Sequence, residues 1–299
     1  MQEQNPAAYA KYLQNLIAYK SSDHKVVYAW FDNSEKTPFS RGQHISDTPD
    51  SLDVISMMYP AELAEFELAD MQTVRTKGTK VVYTISFDKI QKEYTEKVKE
   101  GTETGTFDTY LKSELDKQIG YAGNFDGLIA EYKGTNPIYM SAEQKAEAKK
   151  NQDAFFSVVS TWKTGNADKL LTFQGYPENL LEQTILTSCK HIILATDNVT
   201  DDAQLSVVAR LAMVGAGVPT DRFVVAVSTA SLDAADKQTG FYDTDRALLE
   251  AAYWTTEHSD DYTRAGLAIY NVQNDYYNAA NTYLYVKSAI NIMNPAPKK

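Results

Sequence analysis

Eight short runs rich in β-branched and aromatic residues recur along the chain, and helical patterns separate most of them. No other feature narrows the accessible folds as far. The runs are KVVYAWF (residues 25–31), SLDVISMM (51–58), KVVYTISF (80–87), FDGLIAEY (125–132), KLLTFQ (169–174), HIILAT (191–196), RFVVAVS (222–228) and AGLAIYNV (265–272). Several are apolar almost throughout, as parallel strands covered on both faces must be. Apolar spacing predicts helices over 61–76, 108–119, 141–162, 178–187, 201–214, 243–257 and 276–293. Eight strands with helices behind most of them close as an α/β (β/α)8 TIM barrel. The first connection, DNSEKTPFSRGQHISDTPD (32–50), is dense in turn formers and is expected to lack a helix. The chain is expected to be one domain over 1–299. Residues 1–24 would carry a helix that precedes the barrel and covers its bottom, KEGTETGT (99–106) an exposed loop, and 294–299 a frayed tail.

Charge restricts the partners. With 40 Asp and Glu against 29 Lys and Arg, the net charge is -11. Nucleic acid and anionic membrane surfaces reward the opposite balance, so a neutral ligand suits this surface better. No apolar run approaches the roughly 18 residues that span a bilayer. The polar start MQEQNPAAYAKYLQ has no signal-peptide core, which reads as a cytosolic chain or a processed one. Cys189, the single cysteine, adjoins an apolar run and reads as a buried inert thiol. His24, His44, His191 and His258 are scattered, and there is no HExxH, CxxC, GxSxG or phosphate-binding loop. No metal or cofactor is expected.

Catalytic groups of such barrels come from the C-terminal ends of the strands and the loops that follow. The fourth run continues as NFDGLIAEYKG (124–134). Side chains alternate along a strand, so Ile129, Glu131 and Lys133 share one face while Asp126 belongs to the other. Asp126 reads as structural, holding the strand against its neighbours.

This stretch resembles the signature of glycoside hydrolase family 18, the chitinases and endo-β-N-acetylglucosaminidases, whose fourth strand reads Asp-Gly-x-Asp-x-Asp-x-Glu. Asp126 and Gly127 match, while Ile129, Glu131 and Lys133 take the places of the first inner Asp, the second inner Asp and the final Glu. The segments VVYAWFDN, PDSLDVISMM, DMQTVRTKGTKVVYTISF and AGLAIYNVQNDYY extend the resemblance over nearly the whole chain, toward the Bacteroidetes branch of the family. The resemblance implies placement at the cell surface or in the periplasm beside other components of a surface glycan-utilisation system. It also implies a chemistry in which the substrate's own N-acetyl group attacks the anomeric carbon. The final Glu would protonate the leaving oxygen, and the Asp two residues earlier would orient the acetamide.

Lys133 departs from that chemistry, because an ammonium with a pKa near 10.4 is a poor acid at neutral pH. Three readings stand: a lost site with Lys133 paired to Glu131, a repurposed site with a lysine of lowered pKa, and a register slip that lets Glu131 act as the acid. The reading carried forward is a non-catalytic barrel that binds N-acetylglucosamine-containing glycans, with an endo-β-N-acetylglucosaminidase of atypical proton donor as the alternative. Sugar recognition needs aromatic platforms and directed polar groups. The strand ends offer Trp30, Ser86, Glu131, Lys133, Gln174, Tyr176, Asp197, Tyr270, Asn271 and Gln273 as candidate ligand-binding residues. A mouth plugged by bulky side chains would mark a scaffold without a ligand, and a carboxylate from another loop near Lys133 would favour the enzyme.

Overall fold

A computed structural model describes residues 5–296. Eight parallel strands close into a barrel: β1 (Val26–Phe31), β2 (Val54–Met57), β3 (Lys80–Ser86), β4 (Gly127–Tyr132), β5 (Leu170–Gly175), β6 (Ile192–Leu194), β7 (Phe223–Ser228) and, after a short hairpin, β10 (Arg264–Tyr270). The hairpin, β8 (Phe241–Tyr242) with β9 (Asp245–Arg246), lies in the loop after β7. β1 pairs with β10 to complete the ring. This is the expected (β/α)8 barrel.

The helices are α1 (Pro6–Ser21), α2 (Glu65–Thr76), α3 (Phe87–Glu100), α4 (Phe107–Ile119), α5 (Ala142–Gly165), α6 (Thr184–Thr187), α7 (Ala203–Ala212), α8 (Ala247–Thr256) and α9 (Leu284–Met293). The connection after β1 holds only two 3-10 turns, Arg41–Gln43 and Ile45–Asp47. α1 buries no residue fully, and its Lys20 hydrogen-bonds Thr79 just before β3 at the N-terminal end of the barrel. Asn294, at the start of the expected frayed tail, is tied to the backbone of Lys25 by two bonds of 2.8 Å. Part of that tail, residues 297–299, lies outside the described residues, as do residues 1–4 at the start of the expected N-terminal helix.

Three expectations need correction. α3 was not anticipated: β3 passes into it without a loop, and Ser86 ends the strand while its side chain caps the helix by accepting from Lys89 N at 3.1 Å. The helix expected over 178–187 shrinks to a 3-10 turn at Pro177–Asn179 and the single-turn α6. Tertiary bonds replace its helical ones, since Asn179 donates to the carbonyl of Lys133 at 2.7 Å and Gln152 accepts from Leu181 N at 2.8 Å. The helix expected over 276–293 starts only at Leu284. Tyr276 and Tyr277 sit in a 3-10 turn, and Tyr283 takes a left-handed conformation (φ 55) that interrupts any continuous helix.

Inside the barrel, Tyr28, Trp30, Val54, Val82, Ile129, Ile193, Val224, Ala226 and Ala268 form a buried cluster, so the lumen below the mouth is packed rather than open. At its lower end the Tyr28 hydroxyl meets Thr172 Oγ1 at 2.9 Å and His191 Nδ1 at 2.8 Å. Burial, helped by the charges of Lys190 and Arg222, pushes the His191 pKa down to about 4, so its imidazole is neutral at pH 7.

Two carboxylates lace the bottom of the ring in the same manner. Asp53, just before β2, accepts from Val27 N at 2.8 Å, and Asp126, just before β4, accepts from Val81 N at 2.8 Å. Arg75 Nε also lies 3.0 Å from Asp126. Gly127 follows Asp126 because a Cβ there would fall 2.2 Å from the carbonyl oxygen of Leu170 on β5. The Asp-Gly pair is therefore a strand-joining device at the end of the barrel away from the mouth. Replacing Asp126 with Ala strands the buried Val81 N–H and frees Arg75, and we expect a loss of about 2 kcal/mol or more in urea unfolding. A loss under about 0.5 kcal/mol would contradict this role.

Candidate functional site

The mouth of the barrel is an open cleft of about 570 Å³. The register of the sheet places Ser86, Glu131 and Gln174 side by side on β3, β4 and β5. Gln174 Nε2 donates to Glu131 Oε1 at 3.1 Å and also to the Tyr270 hydroxyl. With its oxygen accepting from Gln174, the Tyr270 phenol can turn its own proton elsewhere. The Tyr270 ring stacks on Trp30 with centroids 4.4 Å apart and planes 28° apart, and Trp30 Nε1 donates to Thr84 Oγ1 at 3.0 Å. Gln174 Oε1 is buried without a hydrogen-bond partner among the described residues.

Glu131 is mostly enclosed, with 18% of its side chain exposed. Burial raises its carboxyl pKa, against the opposing pull of the Ser86 hydroxyl and the Lys133 charge. Lys133 lies just past the end of β4. Its ammonium is 2.8 Å from Asp197 Oδ2 and 4.0 Å from Glu131 Oε1. The expected Glu131–Lys133 pair is thus subordinate to a Lys133–Asp197 pair. Glu131 and Lys133 are alternate residues of one run, whereas Asp197 comes from the loop after β6, two strands along the ring from β4. Tyr176 also donates to Asp197, at 3.1 Å. Burial alone would lower the Lys133 pKa, but Asp197, Glu131 and Asp88 together outweigh it and hold the ammonium above its ordinary range. That direction opposes the repurposed-lysine reading. Asp88, in the first turn of α3, accepts from the backbone N–H groups of Lys133 at 2.7 Å and Gly134 at 3.1 Å, fixing where β4 ends.

The register-slip reading also meets a physical obstacle. β4 pairs residue for residue with β3 and β5 through Glu131 without a bulge, so no contraction brings Glu131 to the last motif position. Ile129 is fully buried in the lumen. Where an inner Asp of the motif would stand, the barrel has apolar packing.

The structure brings Trp30, Ser86, Glu131, Gln174, Asp197, Tyr270 and Asn271 to the cleft wall. Three of the sequence-predicted residues do not line it. Lys133 and Tyr176 are directed to Asp197, and Gln273 accepts from the backbone N–H of Asp32 at 3.2 Å. Sequence reasoning missed Met57, Met58, Thr84 and Lys89, together with residues 238–242 of the loop after β7. Thr84 lay inside a predicted strand whose alternation places it on the same inner face as Ser86; the distal loop residues carried no local signal.

A family model described as glycoside hydrolase family 18, BT1044-like, matches residues 1–292. The chain belongs to glycoside hydrolase family 18. Among solved structures, this family 18 barrel is similar to a selenomethionine form of BT1044 (15% identity over 99% of this chain and 95% of that chain, TM-score 0.70). It is also similar to the endo-β-N-acetylglucosaminidase of Cordyceps militaris without ligand (16% identity over 95% of each chain, TM-score 0.67). A doubly substituted form of the latter enzyme, in complex with fucosyl-N-acetylglucosamine-Asn, matches with TM-score 0.63 at 15% identity over 95% of each chain. At these identities the structural likeness speaks to fold. No curated sequence matches the chain.

The raised pKa of Glu131 has a testable sign. A carboxyl whose folded pKa exceeds its unfolded value costs nothing below the unfolded value, near 4.3, and lowers stability as pH rises through the folded one. Glu131→Gln should therefore be more stable than wild type in urea unfolding at pH 7, with the difference vanishing below about pH 4. A variant less stable at pH 7 would contradict the direction.

Proposed function

We propose that this protein is a non-catalytic glycan-binding protein on a family 18 barrel, taking glycans that contain N-acetylglucosamine. One observation carries the reading: at the last motif position stands Lys133, held as an ammonium 2.8 Å from Asp197. Substrate-assisted hydrolysis needs a proton donor there that loses its proton near neutral pH, and an ammonium stabilised by three surrounding carboxylates opposes that loss. Losing the donor removes a rate factor of order 10² to 10⁴ but need not remove binding.

The remaining parts of the mouth suit a sugar. The cleft is open rather than plugged, which disfavours a scaffold without a ligand. Trp30 and Tyr270 form an aromatic wall. The Tyr270 hydroxyl can donate to an acetamide carbonyl and the Glu131 carboxylate can accept from an acetamide N–H, so both polar ends of an N-acetyl group find partners. The related enzyme's complex with fucosyl-N-acetylglucosamine-Asn supports the ligand class. The reading includes a place at the cell surface or in the periplasm, with other components of a glycan-utilisation system.

A second reading, an endo-β-N-acetylglucosaminidase using Glu131 as its acid, draws on the raised carboxyl pKa, the direction a proton donor needs. Asp197 supplies a carboxylate near the vacated position, but it is engaged as acceptor to both Lys133 and Tyr176.

A paired assay separates the two. Purified protein is screened for binding and for cleavage of N-glycans and N-acetylglucosamine oligosaccharides, beside Tyr270→Ala and Lys133→Glu. Wild type should bind without releasing product, and Tyr270→Ala should bind about tenfold more weakly through the lost stack and hydroxyl. Lys133→Glu need not restore hydrolysis, since Ile129 also departs from the motif. Product release by wild type would sink the non-catalytic reading, and absence of binding to every glycan would sink the lectin-like one.

A further inference from the structure

A second cavity of about 500 Å³ adjoins the cleft, between the loops that follow β1 and β2 and the helices α3 and α4. Met58, Thr84, Ser86 and Lys89 line both cavities, so the two meet along these four residues. Across that boundary the loop after β2 presents Met58 and Tyr59, which are 42% and 46% exposed. Large apolar side chains left in a concavity, rather than folded into the core, are available to a ligand.

The support beneath them is built with care. Asn33, 3% exposed, clamps the backbone of Tyr59 from both sides: its Oδ1 accepts from Tyr59 N at 2.8 Å and its Nδ2 donates to the Tyr59 carbonyl at 3.0 Å. The same Nδ2 donates to Glu67 at 2.6 Å. Glu67, 2% exposed, also receives Lys36 at 2.9 and 3.0 Å and the backbone N–H of Ala64. A buried, charged and fully engaged network therefore fixes a surface loop whose outward features are Met58 and Tyr59. Burying such a network is expensive, and what it gains is a preorganised aromatic surface beside the cleft. At the junction stands Lys89, an exposed ammonium with no ion-pair partner among the described residues. Its three donors can serve hydroxyls of a chain passing from one cavity to the other.

The geometry points to an elongated ligand: an oligosaccharide whose first sugars occupy the cleft and whose following residue lies on Tyr59, past Lys89. This deepens the glycan-binding reading and rests on it. The chain selects by glycan length, and Tyr59 is the residue that senses it.

Isothermal titration with chitobiose, chitopentaose and an intact high-mannose N-glycan tests this on wild type, Tyr59→Ala and Tyr59→Phe. At least one of the long probes should bind wild type about tenfold more tightly than chitobiose. Tyr59→Ala should lose that gain while its chitobiose affinity stays unchanged, and Tyr59→Phe should keep most of it. Because Asn33 holds the loop through its backbone, an intact chitobiose affinity in Tyr59→Ala reports a folded site. Long probes that bind no better than chitobiose overturn the inference and leave the glycan-binding reading standing. So does a length preference that survives Tyr59→Ala, since the added sugars would then lie elsewhere. Failure of wild type to bind any of the three overturns both.

Discussion

Closure of eight parallel strands is the constraint on which everything else at the mouth depends. In a closed ring, every second side chain of each strand points inward, where it is either packed or lifted above the packing. β4 shows the consequence over three alternate positions. Ile129 lies in the dry lumen, Glu131 at the boundary, and Lys133 beyond the strand. The environments differ because height in the barrel differs, and the pKa directions follow: burial raises the carboxyl of Glu131, while the acidic groups around Lys133 keep its ammonium charged.

Electrostatics then decides the character of the site. Asp88, Glu131 and Asp197 converge on one ammonium, and only Asp197 reaches it at hydrogen-bonding distance. Asp88 spends its oxygens on the backbone of Lys133 and Gly134, and Glu131 takes the amide of Gln174. Each acid at the mouth thus has a separate duty. A lysine so placed neutralises a region that three unpaired carboxylates would otherwise strain.

The strands were legible because parallel, doubly covered strands write themselves as apolar runs, and the helix-free first connection because its residues favour turns. Misreadings arose where tertiary bonds replace local ones. α3 hid behind β3, since Ser86 serves both elements, although Phe87, Ile90 and Tyr94 carry helical spacing. Residues 178–187 have helical composition but give their hydrogen-bonding groups to the end of β4 and to α5. At the site, alternation alone separated Asp126 from Glu131 and Lys133, and it foresaw Asp126 as a structural brace.

The sequence by itself determined the barrel, the family, and the loss of two of the three inner acids of the fourth strand, because these depend on residue type and period. Only the tertiary structure decided that Lys133 answers to Asp197 rather than to Glu131, and that Trp30 meets Tyr270. It also decided that Asn33 and Glu67 hold Tyr59 in place beside the cleft. Those contacts join strand ends far apart in the chain, where no local periodicity reports them and only closure of the ring brings the groups within reach.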